Sequence, residues 1–178
     1  MLTYEEAKVI ILGHACTQEL EKVDFRNSVG RALAEDLVAS EDLPSFDNSA
    51  VDGYAVKFNE LAKATKENPV ILKCHEYVFA GRLDTISLQK GVCVQVATGA
   101  PLPLGTDAVV MLEKVVRNGD QVYFSHPTQI GNNLRYRGQD MCTGDSLLPI
   151  GTTIAPTHLA LLAAQGLVEV PLYSRLKI

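Results

Sequence analysis

Leu43 to Val56 constrain this chain more than any other stretch, because five small polar or acidic side chains stand there between hydrophobic anchors. Pro44 fixes its own φ and disfavours helix at Leu43. The side chains of Asp47, Asn48 and Ser49 are of the kind that fold back onto nearby backbone N–H groups, and Gly53 permits a left-handed turn after Asp52. Phe46 and Tyr54 are expected to pin the two ends. The segment therefore reads as a loop that holds a polar surface still, with an ordinary Asx-type turn between two strands as the alternative.

The chain of 178 residues is 47% hydrophobic, enough for one ordinary domain or two small ones with a folded core. Its 16 basic and 21 acidic residues leave a net charge of −5, which argues against a dedicated nucleic-acid surface. No apolar run approaches the roughly 20 residues that span a bilayer, and the N-terminus lacks a secretion signal, so a cytoplasmic protein with small-molecule or protein partners is expected. Cys16, Cys74, Cys93 and Cys142 are widely spaced with no C-x-x-C pair, as inert thiols are. His14, His75, His126 and His158 are equally scattered, and Cys74 and His75, adjacent in a predicted strand, point to opposite faces and make a poor metal pair.

Thr3-Tyr4-Glu5-Glu6 has the form of a capping box, which predicts a helix from there to about residue 18 with Ala7, Ile10, Ile11, His14 and Ala15 on one face. A turn is expected at Ser28-Val29-Gly30 and a strand near residues 35–39. Val70–Val78, Gly91–Val96 and Ala108–Leu112 are β-branched and bounded by turn or charged residues, and Asn118-Gly119-Asp120 is a hairpin turn between Val115-Val116 and Val122–Phe124. Strand is then expected over Asp145–Ile154, helix from Pro156 to Gly166, and strand over Leu167–Leu172; Ser174–Ile178 starts the alternation of a further strand. The first and last parts, 1–43 and 134–178, each carry a helix and short strands and can pack together, leaving 44–133 as an inserted β-rich region. The fold class is α+β.

Three ordered segments carry a resemblance. Asp47-Asn48-Ser49-Ala50-Val51-Asp52-Gly53-Tyr54-Ala55-Val56 resembles the signature of the MoeA family of molybdenum-cofactor synthesis proteins, Ala97–Val110 resembles that family's second segment, and Leu134–Asp140 its third. Val51 stands where the family often has methionine, and Tyr136 where arginine is common. The resemblance runs from about residue 4 to the end and corresponds to the N-terminal part of a family member. It implies an elongated α+β subdomain built from the two separated segments, with an inserted, mostly β, barrel-like subdomain. It also implies a molybdenum transferase that takes adenylated molybdopterin, releases AMP with the help of Mg²⁺ and inserts molybdate. A homodimer follows from the same resemblance, as does a molybdopterin adenylyltransferase as a further partner. Family members continue into further domains, so this chain alone is expected to be an inactive part of the enzyme.

Candidate residues follow from chemistry and resemblance together. Mg²⁺ prefers carboxylate and water oxygens, and Asp52 is the candidate metal-binding and catalytic carboxylate, against the alternative that it caps the turn at Gly53. Thr98, on a turn stiffened by nearby prolines, is a catalytic candidate whose hydroxyl and neighbouring N–H groups, with Gly99, offer hydrogen bonds to an anion; a strand-end threonine satisfied by local backbone is the alternative. Arg135 is suited to binding phosphate, and Asp140 to orienting it or holding metal, with an ion pair between subdomains equally open. Asp47, Asn48 and Ser49 shape the loop and are weaker substrate contacts. A free-standing interaction or dimerisation module without chemistry is the competing reading.

Overall fold

The computed structural model describes residues 2–14, 18–81 and 86–176, except for the side chain of His75. In chain order the elements are α1 (Tyr4–Gly13), β1 (Leu20–Asp24), β2 (Leu37–Val38), β3 (Asn48–Ser49), β4 (Gly53–Val56), α2 (Phe58–Leu61), β5 (Val70–Val78) and β6 (Val92–Val96). They continue with β7 (Ala108–Met111), β8 (Val115–Asn118), β9 (Gln121–Phe124), β10 (Leu134–Arg135), β11 (Ser146–Leu148), α3 (Pro156–Ala164) and β12 (Glu169–Tyr173). The chain divides into two compact units, one from Met1–Glu41 with Thr143–Ile178 and the other from Asp42–Cys142. The class is mixed α+β.

In the first unit the capping box forms as the sequence requires: the Glu6 N–H donates to Thr3 Oγ1 at 3.3 Å, and the Thr3 N–H returns to Glu6 Oε2 at 2.8 Å. The helix ends at Gly13 with His14 as its cap, earlier than the expected residue 18; Ala15, Cys16 and Thr17 lie outside the described residues. β1 pairs antiparallel with β12, Leu20 opposite Tyr173 through Asp24 opposite Glu169, and β2 pairs with β11. Of the strand expected over Asp145–Ile154, only Ser146–Leu148 forms, because Pro149 and Gly151, the latter at φ 80°, turn the chain. Pro156 opens α3 at a position where its missing N–H costs nothing, and Gly166 at φ 67° closes it. Leu33, Ile154, Leu162, Val170 and Leu172 are buried, and the Gln165 amide secures the 39–41 turn, its Oε1 accepting from the N–H groups of Ser40 (2.8 Å) and Glu41 (3.1 Å). Of the strand start read at Ser174–Ile178, Lys177 and Ile178 lie outside the described residues.

The second unit is built on a six-stranded sheet in the order β7-β4-β6-β5-β9-β8, antiparallel except for the parallel pair β5 and β6. The outer strands β7 and β8 are joined only by the single 3₁₀ turn Leu112–Lys114. Four residue steps from Met111 to Val115 reach at most about 14 Å, whereas the outer strands of a flat six-stranded sheet stand about 24 Å apart. The sheet therefore curls. Both its faces are covered, since Tyr54 and Val56 join one buried cluster with Leu72, Val110 and Phe124, while Ala55 joins another with Val78, Val94 and Val109. The hairpin forms where expected: Asn118 pairs with Gln121, and Gly119 at φ 61° takes the first central position of the loop, as a type II′ turn requires.

The unit boundaries fall at 41/42 and 142/143, against 43/44 and 133/134 in the sequence reading. Residues 134–142 stay with the β-rich unit because Leu134 and Arg135 pair with Ser49 and Asn48, and Leu43 bridges Met141. Two local expectations in Leu43–Val56 also change. Phe46 is 45% exposed and so is not a buried anchor, whereas Tyr54 is buried edge-on against Phe124 at 6.2 Å. Gly53 does not adopt positive φ but lies in β4, where an added Cβ would meet the Val110 carbonyl oxygen at 2.4 Å and Val109 Cγ1 at 2.7 Å. Glycine is needed there for close approach of two backbones. Gly53→Ala is expected to lower stability by about 1–3 kcal/mol, the usual cost of forced overpacking, read as an earlier midpoint in urea unfolding; an unchanged midpoint would contradict the packing.

Candidate functional site

Antiparallel pairing of β4 with β6 puts Gly53 opposite Val96, so the residue before β4 and the turn after β6 come out side by side. Those are Asp52 and Thr98. Asp52 Oδ1 accepts two hydrogen bonds, one from the Thr98 N–H at 2.7 Å and one from the Thr98 hydroxyl at 3.0 Å. Both residues are exposed. Among the described residues Oδ2 accepts none, so one oxygen is fixed by the protein and the other is presented outward.

The turn holding Thr98 spends its other donors internally. The Gly99 N–H goes to the Ser49 carbonyl at 2.8 Å and the Ala100 N–H to the Ala97 carbonyl at 3.0 Å, with Gly99 at φ 75° making the turn. These N–H groups are therefore not displayed for an anion, and the turn instead acts as a clamp on Asp52. It offers side chains, not a backbone nest.

Asn48 and Ser49 lie between this turn and β10. Ser49 exchanges backbone hydrogen bonds with Gly99 and Ala100 and stands opposite Leu134, while Asn48 bridges Pro101 and stands opposite Arg135. Both are buried, so they hold segments together and do not face solvent. Ser49 does fold back locally, its hydroxyl donating to the Val51 carbonyl at 2.6 Å and accepting from the Val51 N–H at 3.4 Å, whereas the Asn48 amide donates to the Phe46 carbonyl at 3.1 Å and accepts from no N–H among the described residues. Asp47 reaches further than a local turn, its Oδ1 accepting from the Arg137 N–H at 2.8 Å.

In the third segment Arg135 and Asp140 form an ion pair through Nη2 and Oδ2. It lies within the β-rich unit, both side chains about half exposed. Arg137 pairs with Asp42 at 2.5 Å. The three segments that stood apart in sequence are thus joined by hydrogen bonds through β3, while no hydrogen bond links the Asp52–Thr98 pair to Arg135–Asp140 among the described residues. Exposure of the Arg135–Asp140 pair limits its worth to fold stability.

No group of three or more His, Cys, Asp or Glu side chains suited to a metal occurs among the described residues. Asp52 is one carboxylate with an outward oxygen, which fits a Mg²⁺ that keeps most of its water and takes its remaining ligands from a substrate. Sequence spacing missed one pair. Cys74 and Cys93, remote in sequence, stand opposite each other on β5 and β6 and are buried. A hydrogen bond from Cys93 draws the Cys74 thiol below its ordinary range, with the Gln95 N–H and the Arg117 guanidinium in support, and the same pairing plus burial pushes Cys93 above it. Only the register of two parallel strands reveals this neighbourhood. Cys142 is exposed, Cys16 and the His75 side chain lie outside the described residues, and no helix among the described residues is long and apolar enough to cross a membrane.

Comparison with known proteins follows the same residues. A family model described as MoeA N-terminal region (domain I and II) matches residues 2–166. Molybdopterin molybdenumtransferase 2 of Mycobacterium tuberculosis (strain CDC 1551 / Oshkosh) is 38% identical over 156 residues, 88% of this chain and 38% of that protein. Molybdopterin molybdenumtransferase of Synechococcus elongatus is 36% identical over 181 residues, spanning 100% of this chain and 45% of the relative. The crystal structure of the molybdopterin biosynthesis moeA protein from Pyrococcus horikoshii OT3 superposes with a TM-score of 0.89 at 37% identity, covering 97% of this chain and 46% of that one. The chain spans less than half the length of these relatives.

Proposed function

The chain belongs to the MoeA family, whose N-terminal region it carries, and on that footing we propose that it forms part of an enzyme that inserts molybdenum into molybdopterin during molybdenum-cofactor synthesis. The observation that carries this reading is the Asp52 carboxylate, clamped through one oxygen by Thr98 and presenting the other. A carboxylate so held has little rotational freedom to lose when a ligand binds, which is the advantage of preorganisation. The relatives' names supply the reaction class, and adenylated molybdopterin and molybdate are the proposed substrates.

In this proposal Asp52 is the residue that would hold Mg²⁺, through Oδ2. When bound, Mg²⁺ neutralises charge on a departing phosphate ester such as AMP. Thr98 keeps the carboxylate in one rotamer. Arg135 is the residue suited to meeting a phosphate in two-pronged fashion, and Asp140 holds the guanidinium in place beforehand. Asp47, Asn48, Ser49 and Gly99 fix the loops that carry these groups.

We further propose that the protein acts as a homodimer. None of the α1 residues is buried, and Val9 (69%), Ile11 (70%) and Leu12 (61%) are largely exposed together with Ile10 and Tyr4. So short a helix gains little stability from propensity alone and needs a packed apolar face. A second copy of the same surface supplies one, since a two-fold interface is self-complementary.

Asp52→Asn in the full-length protein is expected to lower cofactor formation on the order of a hundredfold with an unchanged thermal melt; full activity would remove Asp52 from the site. Replacing Val9 and Leu12 together by glutamate is expected to halve the particle mass measured by light scattering, from twice 19.3 kDa to that value for this chain; a particle of unchanged mass would take α1 out of the interface.

A further inference from the structure

The curl of the six-stranded sheet leaves β7 and β8 without hydrogen bonds to each other, and a cavity of about 780 Å³ opens along that seam. Part of the outer edge of β7 is already satisfied. The Val109 N–H donates to the Asn132 carbonyl at 2.9 Å, and the Asn133 side-chain amide donates to the Val109 carbonyl at 2.8 Å. Beyond this point the two strands diverge around Leu112–Lys114, and the cavity reaches the buried cluster that contains Val110 and Phe124. The partly buried Val115, packed against that cluster, offers an apolar body surface on which to leave water.

The mouth has a different character. Lys66, Lys114 and His126 line it against one acidic residue, Glu113, although the chain as a whole carries −5. Neither lysine has an ion-pair partner among the described residues. Thr128, buried in the same lining, accepts a long hydrogen bond of 3.4 Å from Asn132, and its own hydroxyl proton has no acceptor among the described residues. The cavity thus borders the core through the partly buried Met111 and Val115 and carries unspent donors at its mouth. Its lining includes neither Asp52, Thr98, Arg135 nor Asp140.

We propose that the seam between β7 and β8 is a second ligand site, which takes a small phosphate monoester with an apolar, ring-sized body. The ring lies against Met111 and Val115, which are only partly buried, and the phosphate meets Lys66 and Lys114 at the mouth, with the Thr128 hydroxyl as a further donor. Two uncompensated lysines favour a dianion over a carboxylate. The volume lies within the range of about 300–1,000 Å³ typical of small-molecule sites.

Phenyl phosphate titrated into the isotope-labelled chain tests this by amide chemical shifts. Saturable shifts are expected at residues 110–116 and 124–128, with inorganic phosphate and benzoate each at least about tenfold weaker, because each lacks either the ring or the second charge. The double variant Lys66→Gln/Lys114→Gln changes only exposed side chains and is expected to weaken phenyl phosphate about tenfold or more, with the unliganded spectrum otherwise retained. Shifts scattered over other surface lysines, a titration that does not saturate, or equal affinity in the double variant would overturn the proposal. Because no molybdenum chemistry enters the readout, failure here leaves the reading of Asp52 and Thr98 untouched.

Discussion

The spacing between β4 and β7 is set by the missing side chain of Gly53. With the Val110 carbonyl oxygen 2.4 Å from where a Cβ would sit, the two backbones approach more closely than any larger residue allows. The strand that begins at Gly53 has both faces buried, with Tyr54 and Val56 on one and Ala55 on the other. A strand so enclosed has little freedom to shift register, since a slip by one residue would exchange its faces. Asp52 inherits that fixity. It is the last residue before the enclosed strand, and its carboxylate meets Thr98 because β4 and β6 are in register from Gly53 and Val96 onwards.

The same logic extends through β3. Two residues, Asn48 and Ser49, hold the turn at 97–101 on one side and Leu134-Arg135 on the other, so the three motif segments of this chain are joined through a very short strand. Burying these two polar side chains is tolerable because each has a hydrogen-bonded partner. The exposed charges are placed outside this buried polar strip: Asp52 at one end, Arg135 and Asp140 at the other. Rigid backbone beneath and unburied charge above is the arrangement that lets a site exchange ligands without reorganising its fold.

What could be read from sequence was local. Thr3 and Glu6 declare a helix start because their reciprocal hydrogen bonds span only three residues, and Asn118-Gly119-Asp120 declares a hairpin because the turn chemistry is contained in the turn. The three motif segments were legible through resemblance, and the α+β class through the distribution of helix and strand signals. Contacts set by register were not. Cys74 beside Cys93, Gly53 against Val110, and residues 134–142 docked on β3 each depend on which strands become neighbours, and a two-residue strand such as β3 has no periodicity to announce it. The backbone N–H groups of the Thr98 turn differ from expectation for a related reason. Glycine and proline there signal a turn, but whether its N–H groups face a ligand or the Ser49 carbonyl is decided by β3.

Whether Thr98 acts through Asp52 is decided by a double-mutant cycle in the full-length protein, with cofactor formation as the readout. Thr98→Val is expected to reduce activity by about 10–100-fold in the natural background, as loss of an orienting partner does, and to cost almost nothing further once Asp52→Asn is present. An equal loss from Thr98→Val in both backgrounds would mean that the two residues act independently, and the clamp would not be part of the function.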